Sequence, residues 1–145
     1  MDKLIRISAD HKTISEMPSM YREIISRANF YNPLDYVDSL NKIFKDTILP
    51  HFDFEEKEIF PLIIEMGNID AKAMIPKLND DHVQFRQRLE QINKIKSGFE
   101  IKPDVRVREE LTALCGQITR DLSEHALKED TIVFPLLKDA GFDQK

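Results

Sequence analysis

Residues 51–63 read HFDFEEKEIFPLI and residues 125–137 read HALKEDTIVFPLL. Aligned His51 onto His125, at an offset of 74, they share H-x-x-x-E-[ED]-x-x-[IV]-F-P-L-[IL]. A histidine and a glutamate four residues apart stand on one face of an α-helix and can reach a common centre. Each copy also closes a longer apolar pattern. Val37, Leu40, Phe44 and Ile48 lead into His51 and Glu55 at spacings of three and four. Val107, Leu111, Leu114, Ile118 and Leu122 lead in the same way into His125 and Glu129. The spacing predicts two amphipathic helices whose histidines and glutamates face inward.

Two further stripes flank these. Ile75, Leu78, Phe85, Leu89 and Ile92 put His82 on the inner face of a third helix, expected to start near Asp70 and to stop at Ser97-Gly98. Ile7, Ile14, Tyr21 and Ile25 do the same for His11, although Pro18 interrupts the pattern. One kinked helix, or a short one followed by a longer one, is expected there, ending near Asn29. The two echo each other as well, Ala9-Asp10-His11 against Asp80-Asp81-His82, at an offset of 71.

Punctuation completes the layout. Asn32 suits a cap, Pro33 a first helical position and Asp35 a first turn. Pro50 removes one backbone hydrogen bond and predicts a kink, and Pro61 and Gly67 are expected to end that helix. The fourth helix is expected after Pro103, with Asp104 in its first turn, fading at Pro135 or Gly141. Connectors at about 30–32, 67–69 and 98–102 are short, which makes successive helices antiparallel neighbours. The fold expected is all-α: one antiparallel up-down-up-down four-helix bundle, a single domain over residues 1–145.

Composition agrees with that class. The 145 residues include four glycines and no tryptophan, with 41% hydrophobic and 32% charged side chains. Such a chain buries roughly two-thirds of its unfolded surface in one core. A net charge of −5 argues against nucleic acid as a partner, since phosphate binding needs basic patches. The single cysteine, Cys115, excludes an internal disulfide and a CxxC motif. It lies ten residues before His125, nearly three turns away, and reads as a small apolar core residue. Residues 1–9 mix Asp2, Lys3 and Arg6 with apolar residues, unlike a signal peptide. No apolar run approaches the roughly 20 residues that span a bilayer. A cytoplasmic protein without a membrane partner is expected.

The four histidines then ask for an explanation. Any one of them alone reads as an ordinary core histidine with a hydrogen-bond partner. If the inward stripe takes ~3/7 of helix positions, four histidines all fall inside about 3% of the time by chance. Burying Glu55 and Glu129 without a cation costs several kcal/mol, and a bound metal removes that cost. Two related hairpins packed antiparallel imply a pseudo-twofold axis, two sets of two histidines and two glutamates able to bridge them. That symmetry accommodates a pair of ions. Imidazole with carboxylate suits iron, manganese or zinc. The repeated Phe60-Pro61-Leu62 and Phe134-Pro135-Leu136 read as an aromatic plug and a helix stop. Ferritin-like di-iron bundles use Glu-x-x-His, the reverse order, which tells against their oxidase chemistry.

Over essentially its whole length the sequence resembles the hemerythrin-like (HHE cation-binding) family. HFDFEEKEIFP and HALKEDTIVFP are similar to the family's second- and fourth-helix signatures, and DDHVQF to its third-helix one. The resemblance implies that His11, His51, Glu55, His82, His125 and Glu129 hold two non-haem irons, bridged by the glutamates and an oxygen atom (zinc or manganese being the other candidates). Oxygen-carrying members have a fifth histidine in an HxxxH pair on the third helix, where this chain has Arg86. They also use HxxxxD on the fourth helix, which His125 and Asp130 satisfy, so Asp130 is the alternative to Glu129. Register with Glu55 favours Glu129. The four-histidine, two-glutamate pattern is more similar to the repair-of-iron-centres proteins, which respond to nitric oxide and oxidative stress. Those commonly carry an extra N-terminal cysteine-containing domain that has no counterpart in these residues, so iron–sulfur repair is not carried over directly. Arg86 is expected to pair with Asp130, to tune the centre, or to lie on the surface.

Three functions compete at this level. A binding or sensing module would take up O₂, NO or iron itself. An enzyme would reduce NO or peroxide at the same open positions. A metal-free bundle is disfavoured by the two inward glutamates, and alanine at His51 and His125 would leave such a bundle nearly unaffected.

Overall fold

The computed structural model describes the backbone of residues 3–26, 33–67, 69–133 and 135, and their side chains except 3, 4, 21–26, 33 and 132. Among the described residues the chain forms four helical rods and no strand. They are α1 (Lys3–Ser26), α2 (residues 33–66), α3 (Ile69–Ile101) and α4 (Val105–Lys128), the last running on through Glu129–Val133.

The order of apolar residues along each rod gives the topology. Two clusters lie on either side of a buried polar layer. The larger holds Ile14, Met17, Leu40, Phe44, Ile48, Phe85, Ile92, Leu111, Ile118 and Leu122, and the smaller Ile7, Ile59, Phe60, Ile63, Ile75, Leu78 and Val133. α1 therefore passes from the small cluster through His11 to the large one, and α2 passes back through His51 and Glu55. α3 and α4 repeat the circuit through His82 and through His125 and Glu129. The result is an antiparallel up-down-up-down four-helix bundle. No described helix is long and apolar enough to cross a membrane.

The prolines do not break the rods as expected. α2 consists of Pro33–Ile43, a π-helical turn Phe44–Ile48, then Leu49–Phe54, a second π-helical turn Glu55–Ile59, and Phe60–Met66. Each wide turn ends two residues before a proline, at Pro50 and Pro61. Proline lacks an N–H and its ring crowds the carbonyl four residues back. A turn closed by i→i−5 bonds, Leu49 N–H to Phe44 O and Phe60 N–H to Glu55 O, shifts the register ahead of the ring and lets the helix continue. Pro61 is thus not a stop. The helix ends at Met66, where Gly67 takes φ 72 and its N–H reaches Ile64 O at 3.2 Å.

α1 runs unbroken through Pro18. α3 continues past Ser97-Gly98 to Ile101, because a mid-helix glycine costs only about 1 kcal/mol and Lys102 N–H still bonds to Gly98 O. Asp104 precedes α4 as its N-cap rather than sitting in its first turn: extended at φ −144, it accepts from Arg106 N–H at 2.7 Å. Asn32 and the 30–32 connector, Asn29, Phe134, Leu136, Gly141 and the side chains of Tyr21 and Ile25 lie outside the described residues. Cys115 is buried in the large cluster, and burial pushes its thiol up to about 12.

Candidate metal centre

The polar layer is buried almost completely. His11, His51, His82 and His125 are each at most 5% exposed, and Glu55 and Glu129 are 0% exposed. One histidine comes from each helix, because each continues the apolar stripe that the helix buries. The two glutamates follow their histidines by one turn, and each opens a π-helical turn, Glu55–Ile59 in α2 and Glu129–Val133 in α4. π-turns are rare and recur at functional sites.

Two sets form. His11, His51, Glu55 and Glu129 bring one donor atom each within 4.8 Å of one another, and Glu55, His82 and His125 do the same. His11 Nε2 and His51 Nε2 lie 3.1 Å apart. Two imidazole nitrogens bonded to one ion at about 2.1 Å and near right angles stand about 3 Å apart, so this spacing fits shared ligation. Glu55 Oε1 lies 2.9 Å from His51 Nε2 and 3.5 Å from His82 Nε2. Glu129 Oε1 lies 3.4 Å from His11 Nε2 and 3.2 Å from His125 Nε2. Each glutamate thus spans the two histidine pairs, in keeping with the sequence repeat.

The outer nitrogens are all held by carboxylates. His51 Nδ1 meets Asp10 at 3.0 Å, His82 Nδ1 meets Glu56 at 2.8 Å, His125 Nδ1 meets Asp81 at 3.0 Å and His11 Nδ1 meets Asp130 at 2.7 Å. Each helix therefore lends an acid to the histidine of the next helix, and the ring closes from α4 to α1. An Nδ1–H given to a carboxylate fixes the tautomer and turns the Nε2 lone pair inward, the arrangement that supports metal-ligating histidines. Asp10 and Asp81 sit immediately before the lone histidines, and Glu56 and Asp130 immediately after the glutamates. All four acids lie within the repeated segments, but helical spacing alone gives none of them an outer role. The repeat itself was the signal, since each acid recurs with its neighbour.

What the inner atoms lack is as informative. Both oxygens of Glu55, both of Glu129, and Nε2 of His82 and of His125 have no hydrogen bond among the described residues. The 2.9 Å approach of Glu55 to His51 is close but poorly directed. Each orphaned buried polar atom costs about 1–3 kcal/mol. Six of them rival the whole stability of a small domain, about 5–15 kcal/mol. One cation in each set would satisfy them together.

Protonation follows the same geometry. Burial lowers His11, and nearby His51 lowers it further; burial and nearby His82 do the same to His125. Both keep the neutral form that ligation requires. Burial also pushes His51 down, but Asp10 and Glu55 outweigh it and raise it to about 9. Burial pushes Glu55 up, while His51 and His82 pull it down to about 2. The surroundings of His51 and Glu55 therefore favour the charged form of each.

Around the centre, Phe52 stacks on His82 with ring centroids 3.9 Å apart and an interplanar angle of 14°. Phe60 lies parallel to His82 at 5.8 Å, inside the small apolar cluster. Arg86 does not pair with Asp130. Its guanidinium lies 3.1 Å from Glu56 and 3.4 Å from Asp53. A polar cleft of about 180 Å³ reaches His125 and Asp81 from the surface, lined also by Arg88, Asp121, Glu124 and Lys128.

Against known proteins, the family model described as the hemerythrin HHE cation binding domain matches residues 3–141. No curated protein matches the chain significantly, and no solved structure does.

Proposed function

The chain belongs to the hemerythrin HHE cation-binding family, and from that premise we propose that it holds two non-haem iron ions in its core and uses them to take up or sense O₂ or NO. His11 and His51 would hold one ion, His82 and His125 the other, and Glu55 and Glu129 would bridge. The observation that carries this reading is the division of labour on every imidazole. All four Nδ1 atoms rest on a carboxylate, and the inner atoms converge with six of them unsatisfied. Asp130 holds His11 Nδ1 and is 44% exposed, which favours Glu129 over it as the bridging ligand.

When bound, the ions would supply reversible redox chemistry and open positions for a small molecule. The chain's own residues do the rest. The acids orient the imidazoles, and the apolar clusters close the polar layer on two sides, leaving the cleft beside His125 as the route for water. Phe52 and Phe60, one from each apolar cluster, pack their rings against His82. Four histidines with Arg86 in place of a fifth favour the repair-of-iron-centres pattern over that of the oxygen carriers.

Iron content per chain, with the visible spectrum, tests the reading on protein purified without added metal. Two irons per chain and an absorption that bleaches on reduction are expected. No metal, and no uptake of ferrous iron by the reduced apoprotein, would falsify it. Catalytic consumption of NO or peroxide by the iron-loaded chain would make it an enzyme, and reversible uptake without turnover a binding module.

A further inference from the structure

The two ends of the centre are built from the same repeat but do not carry the same charge. At one end, Glu56 Oε2 accepts from His82 Nδ1 at 2.8 Å and also from the Arg86 guanidinium at 3.1 Å. One oxygen atom serves both donors. At the other end, Asp130 Oδ1 accepts from His11 Nδ1 at 2.7 Å. Among the described side chains no guanidinium or ammonium pairs with Asp130. The position related to Arg86 by the offset of 71 is Ser15, whose hydroxyl is occupied by Lys12 O at 2.8 Å. Asp53, the second acid on Arg86, corresponds to Leu127, and Phe52, stacked on His82, corresponds to Ala126.

A carboxylate hydrogen-bonded to the outer N–H of an imidazole raises the basicity of the inner nitrogen. A guanidinium on the same oxygen withdraws part of that charge. We propose that Arg86 is a positioning residue that makes the two metal positions unequal: by sharing Glu56, it leaves His82 a weaker donor than His11. The His82/His125 position is then the more electron-poor of the two. Arg86 is about one-third exposed, so solvent screens its charge, but both donors meet one oxygen and the effect is local. The inference rests on the two-ion reading above.

Two measurements test it on the full chain. In the zinc-loaded, diamagnetic protein, the His11 Nδ1 proton should resonate further downfield than that of His82. Arg86→Gln should move the His82 proton downfield, leave His11 in place, and be reversed at least in part by Arg86→Lys. In protein loaded with ⁵⁷Fe, the oxidised centre should give two Mössbauer doublets of equal area that draw together in Arg86→Gln. A purely structural arginine would shift neither probe selectively. Two bound irons with one doublet, or an unmoved His82 proton in Arg86→Gln, overturn this inference and leave the proposed function standing. A chain that binds no metal overturns both.

Discussion

The hairpin of α1 and α2 and the hairpin of α3 and α4 hold the same polar set at their centre and differ in what surrounds it. Beside His125 the flank is polar: Asp81, Gln84, Arg88, Asp121, Glu124 and Lys128 line an open cleft, with Arg88 paired to Asp121 at 2.9 Å. The related positions beside His51 are Asp10, Thr13, Met17, Thr47, Pro50 and Phe54. There Met17 is 2% exposed and packs into the large cluster, and Phe54 is covered by Arg6 at 4.2 Å. Of these six positions only the acid survives on both sides, while Phe85, which also lines the cleft, answers to Ile14. The inner layer tolerates little change because any loss orphans a buried charge. The flanks face water or aliphatic carbon, and either solution is stable. Charged side chains thus line the flank beside His125, where the related flank beside His51 carries Met17, Pro50 and Phe54.

The strongest way to break the comparison is to remove what both halves share. Glu55→Ala and Glu129→Ala should each lose essentially both ions, because each carboxylate spans both pairs. Metal analysis alongside far-UV circular dichroism reads this; a variant that keeps one tightly bound ion would show that the halves bind independently. Next in size is the apolar core, where the repeat puts Phe44 opposite Ile118, both 0% exposed. Phe44→Ala should cost about 3–5 kcal/mol in urea unfolding, the range for a large ring removed from a packed core. A loss under about 1 kcal/mol would mean that the cluster collapses into the gap.

The outer acids sharpen the contrast. Asp10→Asn and Asp81→Asn should each weaken metal binding about 10–100-fold, as loss of an imidazole's outer partner does. With wild-type protein, a chelator should strip iron in two phases, and Asp81→Asn should speed the first one, because the cleft admits water beside His125. Equal single-phase release in all three proteins would argue that the cleft plays no part in exchange. The smallest effect is at Cys115. Burial and a thiol raised to about 12 should leave it unreactive toward iodoacetamide at neutral pH until the chain unfolds. Fast labelling of native protein would mean that the large cluster opens readily.

How much of this was legible beforehand depends on whether the information is local. Val37, Leu40, Phe44 and Ile48 declare a buried helix face within four turns, and the same period carries His51 and Glu55 onto it. The HxxxE repeat then declares a second copy. Helix ends were harder. Pro61 and Gly98 read as stops because propensity treats each residue alone, whereas a π-turn before the proline and the small cost of an exposed mid-helix glycine, with Lys102 N–H still bonded to Gly98 O, let the helices continue.

From the sequence alone came the four helices, the inward histidines and the two glutamates, since a period of 3.6 and an internal repeat are properties of the chain itself. Which acid meets which imidazole was a tertiary matter. Asp10 reaches His51, Glu56 reaches His82, Asp81 reaches His125 and Asp130 reaches His11 only because neighbouring helices are rotated and set in height against one another. Arg86 finds Glu56 across α2 and α3 rather than Asp130 for the same reason. Pattern along a helix specifies the face it buries, and the side-chain packing between helices decides what that face meets.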